Sequence, residues 1–300
     1  MKIGVVILNY NDFGNTKMCV EHLLKLTTID SIVVVDNCST DDSYQKLHEL
    51  NQKLQGWVLL RTNCNKGYGF GNNYGIHYLR DNTDSEIVCI SNPDVIFDDN
   101  LVSSIERDFE QDDTWGIISG KQLTPDGEVS PNAFWRKKTF STEIKYMIRS
   151  LSLIRKIAPS RKRHDFIVKS LEGKKEIFEV PVLSGCLFFA RLDVMKTIGD
   201  FDEGTFLYYE EDILAEKMHR EGYAMAIDPK VSFIHFGGGS TKNVLDNASV
   251  FSISCRSYKY FAKKYLLDKK YKSIVFNFIF ALFWADRSTV YKIRKIMGID

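Results

Sequence analysis

The sequence predicts an α/β protein whose first half is a doubly wound, mostly parallel sheet with helices on both faces, followed by a helical C-terminal appendage. Short β-branched apolar runs alternate with amphipathic segments over the first hundred residues, which is typical of consecutive βαβ units. The chain has 300 residues, of which 44% are hydrophobic and 13% aromatic, enough to bury a large core. We therefore expect one large α/β domain carrying an appendage.

Each element of the first half is predicted by its own pattern. The apolar runs at 2–10, 31–37, 57–62 and 86–92 predict strands of the kind buried in parallel sheets. Helical spacing of apolar residues predicts helices at 15–27 and 72–82. In a doubly wound sheet of this kind, ligands bind beyond the carboxyl ends of the strands.

Polar residues follow all four predicted strands at those carboxyl ends. They are Asn9, Tyr10 and Asn11 after the first strand, residues 36–43 after the second, 63–75 after the third, and Asn92, Pro93 and Asp94 after the fourth. We expect these four ends to converge on one ligand crevice.

The glycine-rich stretches exclude two common nucleotide sites. Gly67 and Gly69 are followed by Asn72 where a dinucleotide fingerprint requires a third glycine, so an oxidoreductase of that type fails on spacing. The glycines of 236–241 lack the lysine of a phosphate-binding P-loop. The six cysteines form no CxxC pair and no signal peptide precedes the first strand, which favours the cytoplasm.

Basic charge is concentrated in two segments. Residues 136–175 hold 13 Lys and Arg against 3 Asp and Glu, and residues 256–300 hold 11 against 3. The first includes a basic amphipathic helix at 142–158, and the second surrounds the apolar run 273–285, which is too short to span a bilayer. Both patterns suit helices packed on the core and also suit an anionic membrane surface. No nucleic-acid-binding motif accompanies them, so we expect no nucleic-acid partner.

Six motifs in order make the chain resemble the family 2 glycosyltransferases of the GT-A fold, particularly those that build bacterial capsule, O-antigen and rhamnose polysaccharides. They are VVILNYN, VVVDNCSTDDS, NKGYGFGNNYGI, SNPDV, LSGCLFFARLDVMKTIGDFDEGTFLYYEEDI and VSFIHFGGGST, spanning about residues 3–241. The resemblance implies a Rossmann-like GT-A domain at 1–245, with a nucleotide-binding half at 1–100 and an acceptor and catalytic half at 101–245. Residues 246–300 then form the basic helical segment.

The resemblance also implies a divalent cation, Mn²⁺ or Mg²⁺, near SNPDV. Asp94 is the predicted carboxylate ligand, and Asn92 replaces the first acid of the usual Asp-x-Asp signature. His235 falls where the family pattern places a histidine that completes the metal shell. A simple Asn-Pro-Asp turn and a structural histidine are the alternatives.

The donor is predicted to be a UDP- or dTDP-sugar. A carboxylate at Asp36 can accept a hydrogen bond from the imide N–H of uracil or thymine, although Asp36 could equally cap a helix or close a turn. With Asp36, the resemblance implies that the donor is bound by Asn9, Tyr10, Asn11, Asn65, Gly67, Phe70, Asn73, Asn92, Asp94, Ser184 and Gly185.

The predicted catalytic residues are Glu211 and Asp212. The family's Glu-Asp motif falls on this pair, and its aspartate is the usual general base. Simple helix-start chemistry is the alternative, because carboxylates are favoured at a helix N-terminus. Leu214 replaces an acid found in many members.

Together these features predict an inverting, metal-dependent glycosyltransferase that moves a hexosyl or rhamnosyl group to an acceptor hydroxyl in surface-polysaccharide synthesis. A lipid-linked glycan acceptor and a peripheral location at the inner face of the cell membrane follow from the resemblance and the charge pattern. Two alternatives remain. A non-catalytic nucleotide-sugar-binding module is disfavoured by the intact acidic pair, and a sugar nucleotidyltransferase lacks its glycine-rich basic loop after the first strand.

Overall fold

A computed structural model describes residues 1–157, 167, 170–171, 173–237 and 246–296. Parts of the basic segment 136–175 and of the glycine motif 236–241 therefore lie outside the described residues. The strands are β1 (Ile3–Asn9), β2 (Ser31–Asp36), β3 (Val58–Arg61), β4 (Ile87–Ser91), β5 (Val95–Ile96), β6 (Trp115–Leu123), β7 (Phe134–Trp135), β8 (Phe178–Val180), β9 (Val182–Leu183), β10 (Leu187–Arg191) and β11 (Ala224–His235). The helices are α1 (Phe13–Leu23), α2 (Ser43–Lys53), α3 (Tyr68–Asn82), α4 (Asp99–Gln111), α5 (Phe140–Ser150), α6 (Ser152–Ile157), α7 (Leu192–Ile198), α8 (Glu210–Arg220), α9 (Asn247–Phe261) and α10 (Lys270–Ile296).

The described part of the chain folds around a central sheet flanked by helices, which confirms the predicted mixed α/β class. Its strand order is β3-β2-β1-β4-β10-β6-β11-β5, with β8 paired to β11. Strands β3, β2, β1 and β4 are parallel, as predicted for the first half. Strand β10 enters antiparallel between β4 and β6, so residues of the second half complete the sheet of the first.

Each face of the sheet buries an apolar cluster, because alternating strand residues point to opposite sides. Val6, Val33 and Ile90 pack with α3 and α7 on one face. Val5 and Val34 pack with α1 and α4 on the other. This two-sided burial explains why the strands read as continuous apolar runs.

The predicted basic amphipathic helix at 142–158 divides into two. Leu151 ends α5 with an extended backbone, at φ −60° and ψ 136°. The N–H and hydroxyl of Ser152, which begins α6, donate to the carboxylate of Asp286, a residue on α10. A distant side chain thus satisfies the new helix start, and no local pattern reveals it.

The C-terminal helices form a third apolar cluster with α5 and α8. Met147 of α5, Ile213 of α8, Tyr258 of α9 and Phe276 of α10 belong to it. A π-helical turn, Ala262–Leu266, follows α9. The C-terminal segment therefore lies directly behind the helix that carries the predicted catalytic pair.

Candidate active site

The carboxyl ends of the first strands lie side by side at one edge of the sheet. The register pairs Asn9 with Asp36 between β1 and β2, and Asp36 with Arg61 between β2 and β3. Ser91 ends β4 beside Ile7 of β1. The polar loops that follow these strands therefore start from neighbouring positions, because parallel strands end at a common edge.

Asn9 and Asp36 are fully buried and bind each other. Nδ2 of Asn9 donates to Oδ1 of Asp36 at 2.8 Å, and the Thr16 hydroxyl donates to Oδ1 of Asn9 at 2.9 Å. The hydroxyl and the N–H of Ser39 donate to Asp36 at 2.5 and 3.1 Å, while Arg61 Nε lies 3.5 Å from Oδ2. Asp36 thus closes the local turn that its sequence allowed, and its contact with a base stays a prediction.

Asn11 joins the first two loops. Its backbone is left-handed, with φ 52°, and its Oδ1 accepts from the N–H of Thr40 at 2.8 Å. Its own N–H donates to the Ser39 hydroxyl at 3.0 Å. Tyr10, immediately before it, is half-buried. These bonds fix the backbone on which Tyr10 is carried.

The third loop is shaped by Asn65 and Gly67. Oδ1 of Asn65 accepts from the N–H of Gly67 at 2.9 Å and from Nδ2 of Asn37 at 3.1 Å. Gly67 has φ +109°, and a β-carbon there would overlap the carbonyl oxygen of Phe206. Only glycine meets both conditions, so Gly67 lets the 199–209 loop close on the start of α3.

An open cleft borders this third loop. Its lining residues are Arg61, Thr62, Asn63, Lys66, Phe70 and Tyr74. The ammonium group of Lys66 lies 5.0 Å from the centre of the Phe70 ring, so the cleft offers an aromatic face beside positive charge. This combination suits a nucleotide.

Asn73 points to a different neighbour. Its Nδ2 donates to the carbonyl of Phe201 and to Glu203, both at 3.0 Å, and its Oδ1 accepts from the N–H of Phe201 at 2.9 Å. These bonds tie α3 to the loop after α7. The structure thus gives Asn73 a positioning role, and its predicted contact with the donor stays a prediction.

Asp94 and His235 lie together at the end of β4, although 140 residues separate them in sequence. Strand β5 pairs with the end of β11, matching Val95 with His235. His235 Nε2 and Asp94 Oδ1 are 3.3 Å apart, and both side chains are largely buried. The N–H of Asn92 donates to the carbonyl of Cys186 at 2.8 Å, which anchors the SNPDV loop to the start of β10.

The protonation of His235 depends on its neighbours. Burial lowers the pKa of His235, but the hydrogen bonds and charges of Asp94 and Cys186 outweigh it and raise that pKa to about 10. Nδ1 lies 3.1 Å from Nε2 of Gln122, while Oε1 of Gln122 is buried with no partner among the described residues. In protonated His235, Nδ1–H and Nε2–H of Gln122 would be two donors facing each other. Rotating the Gln122 amide by 180° places its Oε1 against Nδ1–H as an acceptor.

This environment fits a divalent cation. Metal-bound histidine must donate its other N–H, and the unpartnered Oε1 of Gln122 is placed to accept it. In the described part of the chain no group of three or more His, Cys, Asp or Glu side chains is arranged around a metal. Asp94 and His235 would instead hold the ion together with a ligand's phosphates, as Mg²⁺ sites often do.

The predicted catalytic residues begin α8 after a strained turn. Tyr208 and Tyr209 have φ of 72° and 73°, a left-handed conformation that is costly for aromatic residues. The Tyr209 ring stacks on Tyr258 at 5.3 Å, which holds the turn against α9. Burial and the charge of Glu211 raise the pKa of Glu210 well above its usual value. Glu210 is therefore suited to stay protonated.

Asp212 is buried and paired. Its Oδ2 accepts from Nζ of Lys138, and its Oδ1 accepts from Nε1 of Trp135 at 3.1 Å. Only 4% of the Asp212 side chain is exposed. Both oxygens are thus occupied by donors from the segment before α5, an arrangement better suited to holding α8 in place than to accepting a proton.

Glu211 faces the other way and is half-buried. Its Oε1 accepts from the N–H of Gly185 at 3.3 Å, and a β-carbon on Gly185 would lie 2.8 Å from that oxygen. The carbonyl of Gly185 accepts from the Tyr68 hydroxyl at 2.8 Å. Burial, aided by the charge of Asp212, raises the pKa of Glu211, and Lys138 partly opposes this shift. Ser184 beside Gly185 is half-buried.

Sequence reasoning missed four residues that shape this site: Tyr68, Gln122, Trp135 and Lys138. Trp135 and Lys138 reach Asp212 across 77 and 74 positions, and Gln122 reaches His235 across 113. The sequence carried one weak signal, the cationic run at 136–138. Contacts at such separations become visible only in the folded chain.

The chain is similar in sequence to known rhamnosyltransferases. At 25% identity over 220 residues, covering 70% of this chain and 68% of the relative, the chain is similar to N-acetylglucosaminyl-diphospho-decaprenol L-rhamnosyltransferase of Mycobacterium tuberculosis. It is 22% identical over 272 residues to rhamnosyltransferase WbbL of Escherichia coli, covering 79% and 89%.

Solved structures show the same fold. The mannosyltransferase PcManGT of Pyrobaculum calidifontis, in complex with GDP-Man and Mn²⁺, aligns with a TM-score of 0.57 at 15% identity, covering 100% of this chain and 76% of that one. S. aureus TarS 1-349, in complex with UDP-GlcNAc, aligns at 0.56 and 14%, covering 95% and 73%. The family model described as Glycosyl transferase family 2 matches residues 4–196. This chain belongs to glycosyl transferase family 2, with the GT-A fold.

Proposed function

We propose that this protein is an inverting glycosyltransferase that moves a hexosyl or rhamnosyl group from a UDP- or dTDP-sugar to a hydroxyl of a lipid-linked glycan in surface-polysaccharide synthesis. It works at the inner face of the cell membrane. The rhamnosyltransferase relatives support glycosyl transfer as the reaction. The name of the mycobacterial relative supports an acceptor sugar that is linked to a lipid diphosphate. The GDP-Man and UDP-GlcNAc complexes of the structural neighbours support a nucleotide-sugar donor.

One observation carries the proposal. Two adjacent residues before β10, Gly185 and Cys186, bind the proposed base Glu211 and the loop that carries Asp94. The N–H of Gly185 binds the Glu211 carboxylate, and the carbonyl of Cys186 binds the N–H of Asn92. Consecutive α-carbons are about 3.8 Å apart. A carboxylate with a raised pKa thus lies close to the loop that carries Asp94, as proton transfer and departure of a diphosphate require.

The mechanism assigns Glu211 as the general base. Glu211 takes the proton of the acceptor hydroxyl while the oxygen attacks the anomeric carbon, and the bond from that carbon to the diphosphate oxygen breaks with its electron pair leaving on the diphosphate. Attack opposite to the leaving group inverts the anomeric centre. Asp212, held by Lys138 and Trp135, positions the start of α8.

In this mechanism the diphosphate leaves beside Asp94 and His235. Mn²⁺ or Mg²⁺ bound by them would supply Lewis-acid stabilisation of the charge that develops there. Asn9, Asn11, Asp36 and Asn65 shape the loops against which the donor's base and ribose are proposed to rest, with Tyr10 and Phe70 as stacking surfaces.

The test is a panel of UDP- and dTDP-sugars. The thermal midpoint should rise with nucleotide and Mn²⁺ and rise less with nucleotide and a chelator. Turnover is followed by release of free UDP or dTDP in the presence of a membrane extract as acceptor source. Equal stabilisation with and without metal would refute the Asp94 and His235 assignment, and stabilisation without turnover would indicate a binding module.

A further inference from the structure

The stretch of helix α10 from Ser273 to Ala285 is mostly apolar but is only half covered. Between Ser273 and Ala285 it contains no charged residue. Phe276, Phe280 and Phe283 are buried against α5 and α9. A helix with apolar residues on every side normally has a partner on every side. The outer side of α10 has none among the described residues.

The outer side forms one continuous stripe. At 100° per residue, a helix aligns positions three and four apart, which places Tyr271, Ile274, Val275, Phe278 and Leu282 in one row opposite the buried phenylalanines. Their exposure is high, for example 63% for Ile274 and 64% for Phe278. Trp284, on the flank of the helix between this row and the buried face, is 50% exposed. Contiguous apolar surface of this kind marks an interaction site.

The first basic segment of the sequence, through helix α5, lies beside this stripe. Helix α5 packs along α10, where Tyr146 contacts Phe283 with ring centres 6.2 Å apart. The carboxylate of Asp286 binds Ser152, which joins α6 to the same layer. Tyr146 is 55% and Leu153 80% exposed. Helices α5 and α6 of the first basic segment and helix α10 of the second, more than a hundred residues apart in sequence, thus form one surface.

Positive charge frames this apolar surface. Lys270 and Lys292 are exposed at the two ends of the α10 stripe, about 33 Å apart at 1.5 Å per residue. Lys145 and Arg149 are exposed on the adjoining face of α5. The sole acidic residue of 269–296 is Asp286, which binds Ser152 instead.

This pattern distinguishes between two occupants. A second copy of the chain packed symmetrically on the stripe would bring the same lysines together, and like charges disfavour that contact. An anionic lipid surface complements them, while its acyl boundary accepts the aromatic and aliphatic side chains. No helix of the described residues is long and apolar enough to cross a bilayer, so α10 would lie in the plane of the interface.

We propose that the outer face of α5, α6 and α10 is a membrane-binding surface that inserts the α10 stripe into an anionic lipid interface. The proposal deepens the proposed function and rests on it for the acceptor. Ile213 of the catalytic helix α8 belongs to the same apolar cluster as Phe276 of α10. Docking on a membrane therefore places α8 one helix layer from the surface where a lipid-linked sugar is presented.

The experiment is flotation of the full chain with two kinds of vesicle, pure phosphatidylcholine and phosphatidylcholine with one third phosphatidylglycerol. The unmodified chain should float with the anionic vesicles and less with the neutral ones. Phe278→Ser should weaken binding about tenfold, because a partly inserted phenylalanine loses its apolar burial. Lys270→Gln and Lys292→Gln should each weaken binding about fivefold at low salt.

Met18→Ser provides the matched control, because Met18 on α1 is 61% exposed and α1 packs in a different apolar cluster from α10. It should float like the unmodified chain. Light scattering of the same samples without vesicles measures the oligomeric state. Absence of flotation at low salt, or flotation unchanged by Phe278→Ser, would overturn the proposal, as would a dimer that Phe278→Ser dissociates.

Nucleotide-induced thermal stabilisation separates this inference from the proposed function. Phe278→Ser should respond to UDP or dTDP with Mn²⁺ as the unmodified chain does, because α10 does not line the cleft near Phe70. Normal nucleotide response without flotation overturns the membrane surface alone. Flotation without any nucleotide response overturns the proposed function and leaves the membrane surface supported.

Discussion

Replacing Lys138 by methionine tests the role assigned to Asp212. The Lys138 side chain is 20% exposed and that of Asp212 is 4% exposed, so the carboxylate cannot turn to water when its partner is removed. Loss of one partner from a buried pair costs about 3 kcal/mol or more. The hydrogen bond from Trp135 remains and offsets about 1 kcal/mol. We therefore expect Lys138→Met to lower the free energy of unfolding by about 2–3 kcal/mol.

The reverse change should cost less. In Asp212→Asn the lysine can reach solvent, and the amide oxygen still accepts from Trp135, so we expect a loss of about 1 kcal/mol. Denaturant unfolding of both variants and of the double variant forms a thermodynamic cycle. The double variant should be more stable than Lys138→Met alone. Strictly additive losses, or an unchanged stability in Lys138→Met, would refute the structural pairing.

Three further predictions concern neighbouring residues. Glu210→Gln should stabilise the protein at neutral pH. The raised pKa of Glu210 gives a contribution to stability that is complete below the unfolded pKa of about 4.5 and is lost as pH rises towards the folded pKa, whereas glutamine does not ionise. The gain in thermal midpoint should therefore grow from pH 4 to 8, and a constant gain would contradict this. Gln122→Leu should lower the affinity for Mn²⁺ about 10- to 100-fold, measured as Mn²⁺-dependent stabilisation by nucleotide. Gln122→Glu should preserve that affinity, because its carboxylate still accepts from Nδ1–H of His235. Equal effects of the two substitutions would show that Gln122 does not position His235. Gly185→Ala should displace the Glu211 side chain and lower the rate of sugar transfer about 100-fold. The thermal midpoint and the nucleotide affinity should stay nearly unchanged. A normal rate of transfer would show that Glu211 needs no contact with Gly185.

Local patterns predicted strands β1 to β4 and helices α1 and α3, but not helix α2 (Ser43–Lys53). Strands β1, β2 and β4 are buried on both faces, so each appears as a continuous apolar run in the sequence, whereas β3, at the edge of the sheet, is only half-buried; polar residues follow all four. The start of α3 was predicted four residues late, since Gly67 and Gly69 appeared to belong to a loop. The insertion of β10 between β4 and β6 left no local trace, because strand order depends on pairing between distant segments.

For the candidate site too, some features could be predicted from the sequence and others depend on contacts between distant segments. Resemblance to the family placed Asp94 and His235 together, and the fold brings them to 3.3 Å. The sequence also favoured Asp212 over Glu211 as the base. We propose Glu211 instead, because Lys138 and Trp135 occupy both oxygens of Asp212 from a segment over 70 residues away. The electrostatic surroundings of a carboxylate are a tertiary property.

The most direct test of the account compares Glu211→Gln with Asp212→Asn, measuring donor affinity by calorimetry and sugar transfer to the native acceptor. The amide at position 211 keeps the shape of the side chain and its contact with Gly185 but cannot take a proton. We expect Glu211→Gln to retain donor affinity while transfer falls by about 10²- to 10⁴-fold, and Asp212→Asn to lose less transfer. Normal transfer by Glu211→Gln, together with loss of transfer in Asp212→Asn, would contradict the assignment of the base.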